Sequence, residues 1–226
     1  MNIMTDMKKF TSEPRLCDDL TVCVAGQGGD GSLTIVTLLS DVLAHHGLNL
    51  YRTSNIASRI KGGHASALVR GSFEQHGGLG SAINILVAFD DEAIRLRGPH
   101  LTDDAIVIYD TSRGPLPEGI VPETVTLLEV PFSRYSVREL ARDLFKNSFG
   151  FGLLSRVLGL ADIEADQYLT NRFKKLKGRA MEGNRQALKL GFEVADEFGL
   201  TVGHQMLQLP KGEKKDHLFI TGNEAT

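Results

Sequence analysis

A chain of 226 residues with 42% hydrophobic side chains is long enough to bury its own core as one large domain or two small ones. Its formal net charge of −3 supplies no global basic field for a phosphate backbone, which argues against nucleic acid as a partner. Neither a run of about 18 uncharged apolar residues nor an apolar stretch of signal-peptide length after "MNIMTDMKKF" occurs, so the chain is read as cytoplasmic with no membrane partner.

In chain order, "LTVCVA" (20–25) is a short β-branched run ending in glycines, the pattern of a buried parallel strand. Ile35, Leu38, Leu39, Val42 and Leu43 then recur at helical spacing, with Gly47 as terminator. "LNLYRTS" (48–54) supplies a second strand, making the opening a βαβ unit. Further strands are predicted at 64–73, 82–89, 105–110 and 125–132, and a short helix at "DDEAIRLRG", acidic in its first turn. From about 134 the pattern is helical only: "SRYSVRELARDLF", "NSFGFGLLSRVLGL", "DIEADQYLTNRFKKL" and "RAMEGNRQALKLGFEVADEFG". The fold class is therefore α/β, a Rossmann-like three-layer α/β/α domain with an additional C-terminal helical segment. Residues 199–217 mix Gly, Pro and charge without a period and read as a linker, and "LFITGNEAT" (218–226) as the start of another strand and turn.

Cys17 and Cys23 are the only cysteines, and their spacing matches no zinc or redox pair. An iron–sulfur cluster needs about four thiolates, so this chain alone cannot hold one. Cys23, inside the first apolar run, reads as a small buried hydrophobe and Cys17 as an ordinary thiol.

Between the first strand and helix lies "GQGGDGS", in which Gly26, Gly28 and Gly31 satisfy G-x-G-x-x-G in the context that motif requires. Such a loop turns tightly, lets a phosphate approach the backbone and aims helix amides at an anion. A nicotinamide dinucleotide would also want an acidic residue at the end of the second strand, where this chain has Leu50, Tyr51, Arg52 and Thr53. Arg52 suits a 2′-phosphate, whereas Asp30 sets a carboxylate against any pyrophosphate. Three readings stay open at this point: an NADP-type dinucleotide, another phosphate compound, or glycines that only let the loop turn.

A second glycine segment, "NIASRIKGGHASALVRGS" (55–72), places Ser58, Arg59, Lys61 and His64 around Gly62 and Gly63 just before a strand. An ordinary dinucleotide domain has no use for it. Taken in order, "GQGGDG", "SRIKGGH" with "VR" following, "KNSFGFGLLSRVLGL" and "FKKLKGRAMEGNRQALKLGFEVA" resemble the gamma domain of 2-oxoacid:ferredoxin oxidoreductases, in particular the N-terminal region of the alpha subunit of the 2-oxoglutarate-type enzymes.

The resemblance implies an oxidoreductase assembly that decarboxylates a 2-oxoacid on thiamine diphosphate, passes electrons through iron–sulfur clusters to ferredoxin and releases an acyl-CoA. It further implies that thiamine diphosphate, magnesium and the clusters sit elsewhere in the complex, that a thiamine-binding subunit or domain is a partner, that the chain is a subunit of an oligomer, and that it is not catalytic alone. Residues 1–17 would be a tail, 18–198 the gamma domain, and 218–226 the start of the following domain. Coenzyme A would lie at or near the glycine loops, at Gly26, Gln27, Gly28, Gly29, Asp30 and Gly31 with Ser58, Arg59, Lys61, Gly62, Gly63 and His64. An NADP-dependent reductase and a non-enzymatic assembly module are the alternatives.

Arg59 and Lys61 have the chemistry of an anion site, weighed against a subunit contact. His64 reads as a surface or hydrogen-bonded loop histidine ahead of a ligand contact, and Arg70 as a structural ion-pair partner. The cluster Arg172, Lys174, Lys175, Lys177 and Arg179 reads as a solvated helix face. Asn147 and Ser148 are read as N-cap residues of a long apolar helix. Gly150 and Gly152 within it suggest close packing at an interface, and Asp103, Asp104 and Asp110 are turn and strand-end carboxylates rather than metal ligands.

Overall fold

The computed structural model describes residues 15–56, 63–132, 135, 145–198 and 207–208. Strands β2 (Asp19–Gln27), β3 (Asn49–Ile56), β4 (His64–Ser72), β5 (Ile83–Ala88), β6 (Leu101–Asp110) and β7 (Thr126–Val130) form one sheet in the order β3-β4-β2-β5-β6-β7. Neighbours β2, β5, β6 and β7 are parallel, and β4 runs antiparallel to both β2 and β3. Because β2 is interior to the sheet, its residues Leu20 to Gly26 are buried on both faces, which is why they form a nearly unbroken apolar run.

The opening strand, helix and strand occur as expected, but β4 lies between β2 and β3. That insertion brings the second glycine segment to the first. An antiparallel neighbour starts where β2 ends, so Gln27 is paired with His64 and Gly28 N donates to Gly63 O at 2.9 Å.

Side-chain alternation divides the core. Leu20, Val22 and Val24 of β2 face helix α1 (Ser32–His45) and the helices α3 (Lys146–Val157), α4 (Asp162–Arg172) and α5 (Arg179–Glu197). Cys23 and Ala25 face the opposite side, where Leu86, Val107 and Tyr109 meet Ala93 and Ile94 of the short helix α2 (Asp91–Arg97). Leu116, Ile120, Val121 and Val125 from the β6–β7 connection complete this thinner third layer. Asp90 caps α2 by accepting from Ala93 N, and Asp91 and Glu92 occupy its first turn. An edge-to-face series, Phe89 to Phe132 to Phe149, joins the ends of β5 and β7 to α3.

Several expectations for the helical segment need correction. α3 starts at Lys146 behind Phe145, which makes no side-chain cap, so Asn147 and Ser148 lie inside its first turn. Ser148 instead donates to Asn184 Oδ1 of α5 at 2.6 Å. Gly150 and Gly152 serve packing within the chain: a Cβ at Gly150 would stand 3.1 Å from Ile35 and Phe132, and one at Gly152 would strike the α5 backbone at Leu188 and Gly191. The α3–α5 crossing is a backbone-to-backbone contact that only paired glycines permit. Arg172, Lys174, Lys175, Lys177 and Arg179 are all exposed, but α4 ends at Arg172, so Lys174, Lys175 and Lys177 lie in the turn beyond it rather than on a helix face.

Arg70 donates to both carboxylate oxygens of Asp19, at 2.8 and 2.5 Å, in the expected structural role. Within the stretch read as a linker, Leu207–Gln208 form a strand, β8, that pairs in parallel with β1 (Arg15–Leu16). Most of "SRYSVRELARDLF" and all of 218–226 lie outside the described residues.

Candidate functional site

The first glycine loop leaves β2 at the point where the topology switches sides: the chain turns through α1 toward β3, while β5 joins β2 on the other flank. Crevices of this kind, outside the carboxyl ends of parallel strands, are where open α/β sheets bind ligands. Gly26 is required by packing, since a Cβ there would lie 2.7 Å from Phe89 Cβ and 2.8 Å from Asp30 Oδ2. Gly29 and Gly31 have φ of 99° and 83°, where side chains are strained. Around Gly29 no described residue lies within 4 Å of where a Cβ would stand, so among the described residues the loop backbone there is open to an approaching group. Gly31 is covered by the Asn147 side chain, which fills the place a Cβ would take.

Asp30 turns back into the loop. Its Oδ2 accepts from Gln27 N at 2.9 Å and its N donates to Gln27 O at 3.0 Å. The carboxylate is thereby engaged with the loop's own backbone. Gly28 N is likewise engaged by Gly63 O, which leaves the amides of the first turn of α1, at Ser32 and Leu33, as the donors with no intrahelical acceptor.

Of the second glycine segment, Gly63 and His64 are described, and Ser58, Arg59, Lys61 and Gly62 lie outside the described residues. His64 is not the surface histidine of the first expectation: both ring nitrogens are buried, and neither has a hydrogen-bond partner among the described residues. It shares a sheet face with Gln27, opposite it in register, and with Ser66 two residues on. Arg97 reaches that face from α2, donating to Ser66 Oγ at 2.5 Å, while its Nε is also buried without a partner among the described residues.

At the carboxyl end of β6, Asp110 Oδ1 accepts from Ser112 N at 2.9 Å, and Arg113 in the following turn places Nη2 3.5 Å from Gln27 Oε1. Lys146, buried at the start of α3, lies 3.2 Å from Asp110 Oδ2, 3.9 Å from Asp30 Oδ1 and 4.0 Å from the Phe89 ring centroid. The sequence motifs did not single out Lys146, Arg113 or the covering role of Asn147. Arg113 had one available signal, its place just beyond a parallel strand; Lys146 stood only as the first residue of the "KNSFGFGLLSRVLGL" motif, and periodicity cannot distinguish a buried lysine at a helix start from a solvated one.

Burial pushes the Cys23 thiol up to about 12 and the Cys17 thiol to about 11, so neither is a thiolate at neutral pH. Among the described residues no group of three or more His, Cys, Asp or Glu is placed to hold a metal ion. Nor does any described helix have the length and apolarity to cross a membrane. Arg52, the residue that suits a 2′-phosphate, donates to Thr37 Oγ1 at 3.3 Å from β3, which β4 separates from the loop-bearing strand. A dinucleotide laid across the loop would have to span that extra strand, about 4.8 Å of sheet.

Comparison with known proteins agrees with this fold. Residues 21–194 match the family model for pyruvate ferredoxin/flavodoxin oxidoreductase. The 2-oxoglutarate synthase subunit KorC of Archaeoglobus fulgidus is 28% identical over 178 residues, 78% of this chain and 88% of that protein. The 2-oxoglutarate:ferredoxin oxidoreductase of Magnetococcus marinus, solved with 2-oxoglutarate, coenzyme A and succinyl-CoA bound, superposes with a TM-score of 0.78 at 26% identity; 91% of this chain is covered, and it spans 36% of that one. The gamma subunit of a keto/oxoacid ferredoxin oxidoreductase from Geobacter sulfurreducens shares the fold, with a TM-score of 0.63 at 18% identity over 79% of this chain and 99% of that one.

Proposed function

From the chain's membership of the pyruvate ferredoxin/flavodoxin oxidoreductase family, we propose that it is the gamma-domain component of a cytoplasmic assembly that oxidatively decarboxylates a 2-oxoacid, passes the electrons to ferredoxin and releases an acyl-CoA, and that its part is to hold coenzyme A at the end of β2. The gamma domain is assigned to 18–198, a linker to 199–217 and the start of the next domain to 218–226. Thiamine diphosphate, magnesium and the clusters are assigned to partner subunits or domains, since two cysteines are too few for an iron–sulfur cluster.

The observation that carries the coenzyme A assignment is the convergence, beyond the carboxyl end of β2, of a backbone at Gly29 with no described neighbour within 4 Å of its Cβ position, the first turn of α1, the Arg113 guanidinium beside Gln27, and His64 in register with Gln27. Bound there, coenzyme A supplies the thiol that receives the acyl group. The helix amides and Arg113 neutralise phosphate charge, His64 gains a polar partner, and the loop orients the cofactor arm toward the partner's reaction centre. Ser58, Arg59, Lys61, Gly62 and Gly63 are assigned to coenzyme A binding as well, on the sequence motif they form.

Arg113→Ala tests the reading. Losing one charge-assisted phosphate contact should raise the KM for coenzyme A roughly ten- to a hundredfold, about 1.5–3 kcal/mol. The exposed position of Arg113 predicts an unchanged melting temperature. If KM for coenzyme A stays at the wild-type value in the intact complex, the loop is an assembly surface instead.

A further inference from the structure

Lys146 is placed where an ammonium is doubly unfavourable. It is the first residue of α3, at the positive end of the helix dipole, and its side chain is 9% exposed. Asp110, the Phe89 ring and Asp30 offset this. Asp110 alone would make an ordinary buried pair. What sets the arrangement apart is the second carboxylate, which belongs to the glycine loop. Asp30 acts in two directions, with Oδ2 on the Gln27 amide and Oδ1 toward Lys146. The next residue of α3, Asn147, covers Gly31, the next residue of the loop. Two consecutive residues at the start of α3 therefore hold two consecutive residues of the loop.

We propose that Lys146 is the positioning residue of the glycine loop: its ammonium ties Asp30 to the sheet through Asp110 and so fixes the backbone from Gln27 to Gly31 that opens α1. The "KNSFGFG" stretch then has two jobs, the glycines admitting α5 and the lysine and asparagine bracing the loop. Only the kinetic consequence of this proposal rests on the coenzyme A reading.

The test is amide hydrogen exchange in the complete complex, comparing a peptide covering residues 26–33 with a control peptide covering β5. Lys146→Met should speed exchange in the loop about tenfold while β5 keeps its rate. Lys146→Arg, which keeps the cation, should return the loop toward the wild-type rate. Since Lys146→Met also changes the surroundings of the buried Asp110, Asp30→Asn is the second variant: it cuts only the loop arm and should loosen the loop to a similar extent. In the Lys146→Met, Asp30→Asn double variant the loop effect should be no larger than in either single one, because both remove the same tie. Unchanged loop exchange in folded Asp30→Asn, or equal acceleration in loop and β5, overturns the proposal. Faster loop exchange together with an unchanged KM for coenzyme A leaves the positioning role standing and removes the coenzyme A reading instead.

Discussion

Among single residues, the loop glycines are not equivalent. At Gly31 a methyl group would meet both a left-handed φ and the Asn147 side chain, so Gly31→Ala should cost about 2 kcal/mol or more and lower the melting temperature of the complex. Gly28 has no such φ, and a Cβ there would stand 3.7 Å from Gly63 O, an ordinary contact. Gly28→Ala should therefore melt within a degree or so of wild type, and the contrast between the two variants in a thermal melt checks this assignment. At the opposite end of β2, the Arg70 hydrogen bonds hold the Asp19 carboxyl below its ordinary value. A depressed folded value contributes stability that is present above the unfolded value and lost as pH falls through the folded one. Arg70→Met should cost about 1 kcal/mol near neutrality, discounted for the partial exposure of Asp19. The gap to wild type should close below about pH 4, which denaturant melts at a series of pH values will read. A gap that persists in acid would place the Arg70 contribution in packing rather than charge.

Elements meet here through glycine as well. Gly152 of α3 and Gly191 of α5 let the two backbones touch, and Gly152→Ala would push a Cβ into the carbonyl of Leu188. Overpacking of this kind costs roughly 1–3 kcal/mol, against the gain of about 1 kcal/mol an exposed helical Gly→Ala change brings. A thermal melt showing stabilisation would contradict the crossing described. The sequence pattern located these elements well because each signal was local: the apolar run of β2, the helical spacing in α1, the acidic first turn of α2. It did not order the strands. Nothing in "HASALVRGS" marks it as antiparallel or as the neighbour of β2, since strand pairing is decided by the whole sheet. For the same reason Gly150 and Gly152 signalled close packing correctly but not the partner, and the motif context raised Gly26 to Gly31 while leaving Lys146 and Arg113, brought in from distant segments, unmarked.

At the level of the whole molecule, the described residues form one α/β/α unit whose two cores are separated by the sheet and whose candidate site lies beyond the carboxyl end of its interior strand β2. Both thiols are buried and protonated, and the division of labour proposed gives electron transfer to the partner subunits or domains. The isolated chain should fold yet show no 2-oxoacid- and coenzyme A-dependent reduction of a viologen dye; turnover by the pure chain would contradict the division of labour proposed. The central claim, that coenzyme A is held by the loop leaving β2, is met most directly by amide hydrogen exchange across the complete complex with and without saturating coenzyme A. The account predicts slower exchange for the amides from Gly29 to Leu33 when coenzyme A is present, with the amides of β7 unaltered. Coenzyme A that protects amides elsewhere in the complex, while those from Gly29 to Leu33 exchange at the same rate as without it, would contradict the account.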